Sequence, residues 1–317
     1  MLCGLQDSIS GGDTIRVGAA VEPGSKTCRP ALALLQMSRL RLFDAVFMLP
    51  AGAPLLVGTP PQEDEQETRR MRDRWVPLSV ATVAWANAVL SLSQQQQSGG
   101  SCSVSREAWE APRGCRGDER YIFFAAAVSG LRGLYTLDKK KVVPMAGFAL
   151  RECLRIDSET ARSVQVIFDA SGAAAAMAEH PPGQPPDRES MGLFVRGCRG
   201  LWRAALVVAC AGRLALSCDS SAMTQAEVAA AVDIPPAACD AIARYVALET
   251  RICTEGLGEA WLAKPLLDGN QLAAAVGVPR GPSLGRLMEE AVRWQLRCPQ
   301  GSTEQLVAHL RDFVLHM

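Results

Sequence analysis

Arginines recur in this sequence at spacings that would line them up on helix faces. Arg151, Arg155 and Arg162 stand at i, i+4 and i+11, which places them within about 40° of arc on an α-helix. Arg196, Arg199 and Arg203 stand at i, i+3 and i+7, and Arg286, Arg293 and Arg297 at i, i+7 and i+11. Lys139-Lys140-Lys141 adds a compact basic loop. A guanidinium presents a planar fork of donors that matches phosphate oxygens, so such faces suit a nucleic-acid backbone. The same stripes also serve as solvated faces paired with acids, as Arg286 could pair with Glu290 four residues on. Trp202 and Trp294 lie beside two of the stripes. They either stack on bases or pack in a core, the commoner role of tryptophan.

Catalytic chemistry is harder to find. Gly24-Ser25-Lys26-Thr27 fails the phosphate-loop spacing, because Ser25 stands where Lys must follow Gly, and it reads as a turn. The nucleophile-elbow and dinucleotide glycine patterns do not occur. Glu63-Asp64-Glu65 sits in a charge run with no Gly-Ser loop upstream to place a nucleotide. The 11 cysteines include no Cys-x-x-Cys pair, and His180, His309 and His316 lie far apart. Free thiols in a reducing compartment are the expectation. No catalytic and no metal-ligating residue is assigned.

The elements that must hold these arginines are helices. Alternating Val/Ile/Thr runs are missing, and the apolar residues recur at helical spacing. Pro30 to Leu42 reads as a helix, Pro50 to Pro61 as a loop, and Glu63 to Arg74 as a solvated helix face. Gln94 to Ser105 is a low-complexity insertion. Pro181 to Pro186 separates two helical blocks, Thr224 to Glu227 is a capping-box pattern, and Pro236 starts a further helix.

The chain has 317 residues, room for about two domains of ordinary size. Lys plus Arg and Asp plus Glu both number 33, so a globally basic nucleic-acid protein is excluded while one basic face is not. Hydrophobic residues at 48% exclude wholesale disorder. No apolar run reaches the ~18 residues of a membrane span; the best, Leu201 to Leu216, is interrupted by Arg203 and Arg213. Asp7 and Asp13 precede Arg16, unlike a signal or transit peptide. An intracellular protein without a membrane partner is expected, with cytoplasm, nucleus and mitochondrion all open.

The C-terminal segment is the most specific part of the chain. It contains Pro265-Leu266-Leu267-Asp268-Gly269-Asn270-Gln271-Leu272, then Arg280-Gly281-Pro282-Ser283-Leu284-Gly285, then Met288 to Leu296. It resembles the tail of the eukaryotic CCA-adding enzymes, the tRNA nucleotidyltransferases, in which an Asp-Gly turn precedes one helix and a Pro-Gly-Pro turn the next. Arg280 replaces the first Pro of that turn. Gly301 to Phe313 resembles the family's ending. Phe148 to Arg155 is similar to its body-helix pattern, Ser190 to Arg196 to the segment after its body linker, and Leu42 to Phe47 to the end of its neck helix.

The family's catalytic head carries a Gly-Ser loop, two carboxylates that hold magnesium, and an Arg/Asp pair that templates CTP and ATP. None of these patterns occurs here. The chain resembles the family only from the last head-and-neck motif onward, at Arg16-Val17-Gly18-Ala19-Ala20-Val21-Glu22, where Ala20 replaces the first Glu.

The resemblance implies an all-α fold of elongated neck, body and tail. Residues 1–118 would be a neck remnant with the insertion near 91–118, 119–262 a helical RNA-binding body and 263–317 a tRNA-binding tail. It implies a surface that grips the acceptor and T-arm of tRNA by A-form shape and phosphates. Arg151, Arg155, Arg196, Arg199, Lys140, Asp268, Gly269, Arg280, Gly281, Arg286 and Arg293 would line it. Mg and CTP or ATP are expected only with a catalytic head, which a separate chain could supply. A non-catalytic RNA-binding protein and a helical protein–protein scaffold remain alternatives.

Overall fold

The computed structural model describes residues 56–57, 64–92, 109–115, 117–181, 185–217, 236–279 and 281–316, with isolated positions between 34 and 46. Helix makes up 71% of the residues described, so the chain is mostly helical with a small sheet added. The Gln94–Ser105 insertion, the Thr224–Glu227 capping pattern, Gly24–Thr27 and Arg280 lie outside the described residues, as does most of Pro30–Leu42 and of Leu42–Phe47.

Helix α1, Glu65–Leu92, starts in the charge run. From Trp75 onward it carries Trp75, Val83, Trp85 and Val89 into the core. Pro77 sits inside it, without an N–H to donate. Gly130 backs onto the same turn so closely that a Cβ there would lie 2.1 Å from the Trp75 carbonyl oxygen. Its N–H donates to Ser79 Oγ at 3.1 Å. Only a glycine permits this approach.

Helix α2, Glu119–Ala127, is buried from Ile122 onward. The chain then forms a sheet that the sequence pattern does not announce. Strand β1, Leu56–Val57, pairs antiparallel with β2, Leu134–Asp138, which pairs antiparallel with β3, Lys141–Pro144. The expected Pro50–Pro61 loop therefore contains an edge strand, and the basic loop is the tip of a two-residue hairpin. Lys139 and Lys140 both have positive φ, 47° and 73°. Glycine or asparagine ordinarily marks such a turn, so the sequence carries no turn signal to set off the short β2 run.

Helices α3, Ser158–Ala178, and α4, Arg188–Gly197, begin on Asp157 and Asp187, whose carboxylates accept the Thr160 and Ser190 N–H groups at 2.8 Å. These caps hold both carboxyls below their ordinary pKa. Helix α5, Trp202–Ser217, is buried on nearly every side from Ala204 to Ala211. A helix apolar all round belongs at the centre of a fold, and α1, α2, α3 and α6, Pro236–Thr254, pack around it. Among the described residues, no single helix is long and apolar enough to cross a membrane.

Arg203 and Arg213, the two charges on α5, are paired. Arg213 Nε lies 2.8 Å from Glu179 Oε1 and Arg203 Nε 2.9 Å from Glu249 Oε1. Glu249 is 2% exposed and also accepts the Ala111 N–H at 2.9 Å. Burial pushes its carboxyl above the ordinary range, and the hydrogen bonds from Arg203 and Ala111 oppose that rise.

Three helices close the chain: α7, Gly269–Val276, α8, Pro282–Arg297, and α9, Thr303–Leu315. They share a small core of Leu272, Leu287, Ala291, Trp294, Leu306 and Leu310. Gly301 lets Trp294 close it, since a Cβ there would meet the ring at 2.1 Å. Leu296 instead joins the large core, and α8 packs on α4.

Candidate nucleic-acid interface

One of the three arginine stripes survives as a single face. Arg286, Arg293 and Arg297 all lie on α8 and are exposed. Arg293 Nη1 lies 3.0 Å from Glu189 Oε1 on α4. Arg297 reaches Glu290 at 2.5 Å and Glu189 at 3.6 Å. Glu290 also takes a 2.9 Å contact from His309 Nε2 on α9. Burial raises the Glu290 pKa, but the His309 and Arg297 hydrogen bonds outweigh it and hold the carboxyl below its ordinary value. No described ion pair includes Arg286, so its anticipated partner Glu290 is engaged elsewhere.

The other two stripes are broken by the backbone. Arg151 lies in a single π turn, Ala149–Cys153, not in a continuous body helix. Arg155 follows at φ 48°, and Asp157 then opens α3, which carries Arg162. The three residues therefore do not share a helix face, although all are exposed. The signal was present in Asp157-x-x-Thr160, an N-cap pattern that overrides the arginine periodicity.

Arg196 lies in the last turn of α4, Arg199 sits in the following turn at φ 49°, and Arg203 is the second residue of α5, beyond a 103° bend. Arg196 Nη1 donates to the carbonyls of Ala260 and Ala263 at 2.8 and 2.7 Å, so it braces the turn that follows α6. Arg203 is bound to Glu249 and lies 4.4 Å from the Trp202 ring centre. Arg199 is exposed.

The hairpin tip presents Lys139, Lys140 and Lys141, all exposed. Asp268 and Gly269 have a structural explanation. Asp268 is the N-cap of α7 in a reciprocal capping box with Gln271, and Gly269 is the first helical residue. Gly281 is the N-cap of α8, with extended backbone at φ 164° ahead of Pro282. Trp202 and Trp294 are 1% and 8% exposed and serve the core. The tryptophan that reaches the surface is Trp261, at 38%. It belongs to no helical stripe, so periodicity could not single it out.

The described cations thus fall into free and engaged groups. Arg151, Arg155, Arg199, Arg286 and the three hairpin lysines are exposed without a described ion pair. Arg196, Arg203, Arg293 and Arg297 hold the fold together. Among the described residues, no group of three or more His, Cys, Asp or Glu side chains is placed to hold a metal ion.

Comparison with known proteins finds short stretches in common with one family. The chain is 41% identical over 68 residues to tRNA nucleotidyltransferase cca2 of Schizosaccharomyces pombe, covering 22% of this chain and 14% of that protein. It is 42% identical over 48 residues to the mitochondrial CCA tRNA nucleotidyltransferase of Saccharomyces cerevisiae, covering 15% of this chain and 9% of that protein. The S. pombe tRNA nucleotidyltransferase cca1 matches at 26% identity over 53 residues. The chain is related to the CCA-adding enzymes. The matched stretches span no more than 14% of these relatives. No family model matches the chain, and no solved structure matches it.

Proposed function

We propose that this chain is the tRNA-binding and positioning portion of a CCA-adding tRNA nucleotidyltransferase. The observation that carries this reading is the set of short matches to CCA-adding enzymes from two fungi. The exposed cations Arg151, Arg155, Arg199, Arg286 and Lys140 are consistent with it, since unpaired guanidinium and ammonium groups attract phosphates. They would contact the acceptor and T-arm through phosphates and A-form shape rather than base sequence. Residues 263–317, built on α7, α8 and α9, would form the tail, residues 119–262 the body, and residues 1–118 the neck remnant. Arg280 would act beside the N-terminus of α8.

Nucleotidyl transfer would be the work of a catalytic head, on the same polypeptide or on a separate chain, and Mg²⁺ with CTP or ATP would bind there. The setting would be intracellular, as for the mitochondrial relative. The test uses purified chain and a tRNA lacking its CCA end. The chain should bind this tRNA and add neither CMP nor AMP. Metal-dependent incorporation by the pure chain would overturn the division of labour, and absence of tRNA binding would overturn the function.

A further inference from the structure

Trp261 lies on the turn that links α6 to α7, and it is held in place from several sides. One side of its ring covers Gly200, where a Cβ would come within 3.3 Å of Cζ2. Gly200 has φ +90°, so neither the conformation nor the space suits a side chain there. The Trp202 indole N–H donates to the Gly258 carbonyl at 3.1 Å, three residues before Trp261. Arg196 donates to the Ala260 and Ala263 carbonyls, one residue before and two after it. The Lys264 carbonyl accepts from Gln295 of α8 at 3.0 Å. The turn is therefore rigid, and yet it exposes 38% of Trp261 and 58% of Leu262. Burying that aromatic surface would be favourable, so its exposure on a braced turn needs a reason.

Its surroundings name the occupant. Arg199, exposed and at φ 49°, directly precedes the glycine that the ring covers. The Arg196 guanidinium lies under the turn, and Lys264 is exposed three residues beyond Trp261. The exposed acids on this link are Glu259 and Asp268, and Asp268 is taken up in capping α7. An exposed aromatic ring with exposed cations nearby in the chain, Arg199 next to Gly200 and Lys264 on the same turn, fits a nucleobase stacked on the ring with its phosphates on the cations.

We propose that Trp261 is a stacking platform for an unpaired nucleotide of bound RNA, with Arg199 and Lys264 holding the adjoining phosphates. This rests on the tRNA reading above and deepens it. The platform reads only the flat face of a base, so it favours unpaired residues over duplex without specifying sequence.

The experiment compares two RNA hairpins with the same stem, one blunt and one ending in a short single-stranded 3′ extension with 2-aminopurine in place of one base. Affinities are measured for the full chain and for Trp261→Ala, Trp261→Phe and Arg199→Gln. The wild-type chain should bind the extended hairpin more tightly and quench the 2-aminopurine. Trp261→Ala should weaken the extended hairpin about tenfold and abolish the quench, with the blunt hairpin unchanged. Trp261→Phe should keep most of both. Arg199→Gln, at an exposed position, should lower the salt slope by about 0.7 while leaving the quench in place. Equal binding of the extended hairpin by wild type and Trp261→Ala would overturn the platform. Equal losses on both hairpins would overturn it too, since they would mark a damaged fold. If the wild-type chain bound neither hairpin nor tRNA, the tRNA reading itself would fall.

Discussion

Arg293 Nη1 lies 3.0 Å from Glu189 Oε1, joining α8 to the first turn of α4. A cation that the sequence assigns to RNA is thereby neutralised across a helix contact. Arg286, two turns earlier on the same helix, has no described ion pair. Two arginines on one face thus differ in what they are free to do.

That difference is measurable. Arg286→Gln should weaken every tRNA about equally and lower the magnitude of the salt slope by about 0.7–0.9. It should leave stability within about 0.5 kcal/mol of the wild type. Arg293→Gln should change the slope less and cost up to about 1 kcal/mol of stability, because its ion pair is half exposed. Salt titrations of tRNA affinity and urea unfolding of both variants would check this. Equal slopes for the two would contradict the distinction.

Asp268→Ala removes the capping box of α7. The Asn270 and Gln271 N–H groups lose their acceptor, at a cost of about 1 kcal/mol. Ser302→Ala should do the same to α9, which has the same kind of box with Gln305. If Asp268 touched phosphate, its removal would strengthen binding by relieving repulsion. The capping account instead predicts lower stability, read by thermal melting, with tRNA affinity unchanged for the folded variant.

Glu249→Leu should be the most damaging of these substitutions. It leaves the Ala111 N–H and the Arg203 guanidinium without their acceptor inside the core. The expected loss is about 2–3 kcal/mol, since Arg203 keeps partial access to water. Double-mutant analysis with Arg203→Met should recover part of it. A near-neutral Glu249→Leu would show that the pair holds nothing together.

Glu290 gives the α8–α9 contact a pH dependence. Its folded pKa lies below the ordinary 4.5, through hydrogen bonds from His309 and Arg297 that outweigh the opposing effect of burial. As pH falls below that value the unfolded chain takes up the proton first. The stabilisation is therefore present above 4.5 and is lost as pH falls through the folded value. Glu290→Gln should show a smaller drop in melting temperature between about pH 6 and about pH 3.5 than the wild type. An equal drop would place the acid sensitivity at other carboxyls, such as the caps Asp157 and Asp187.

Much of the helical layout is legible from local chemistry. Pro236 and Pro282 stand at helix starts, Asp268-Gly269 opens α7, and the Pro181–Pro186 stretch separates α3 from α4. The hairpin is not legible, because two lysines occupy left-handed positions that glycine or asparagine usually marks. The Arg151 and Arg196 stripes fail for a related reason. Arg155 and Arg199 each adopt positive φ and turn the chain, so a periodicity counted straight through them has no helix to follow. The partners of Arg293 and Arg196 come from 64 to 104 residues away and cannot be read from spacing. Trp261 is missed for the opposite reason, since it stands alone on a turn.

The central claim is that this chain recognises tRNA through phosphates and shape. Its most direct test is the affinity of the pure chain for an unmodified tRNA across a series of salt concentrations, beside a single-stranded RNA of the same length. The account predicts tighter binding to the tRNA and a log–log salt slope of several units, about 0.7–0.9 for each phosphate contact. Equal affinity for both RNAs, or an affinity that does not change with salt, would contradict it.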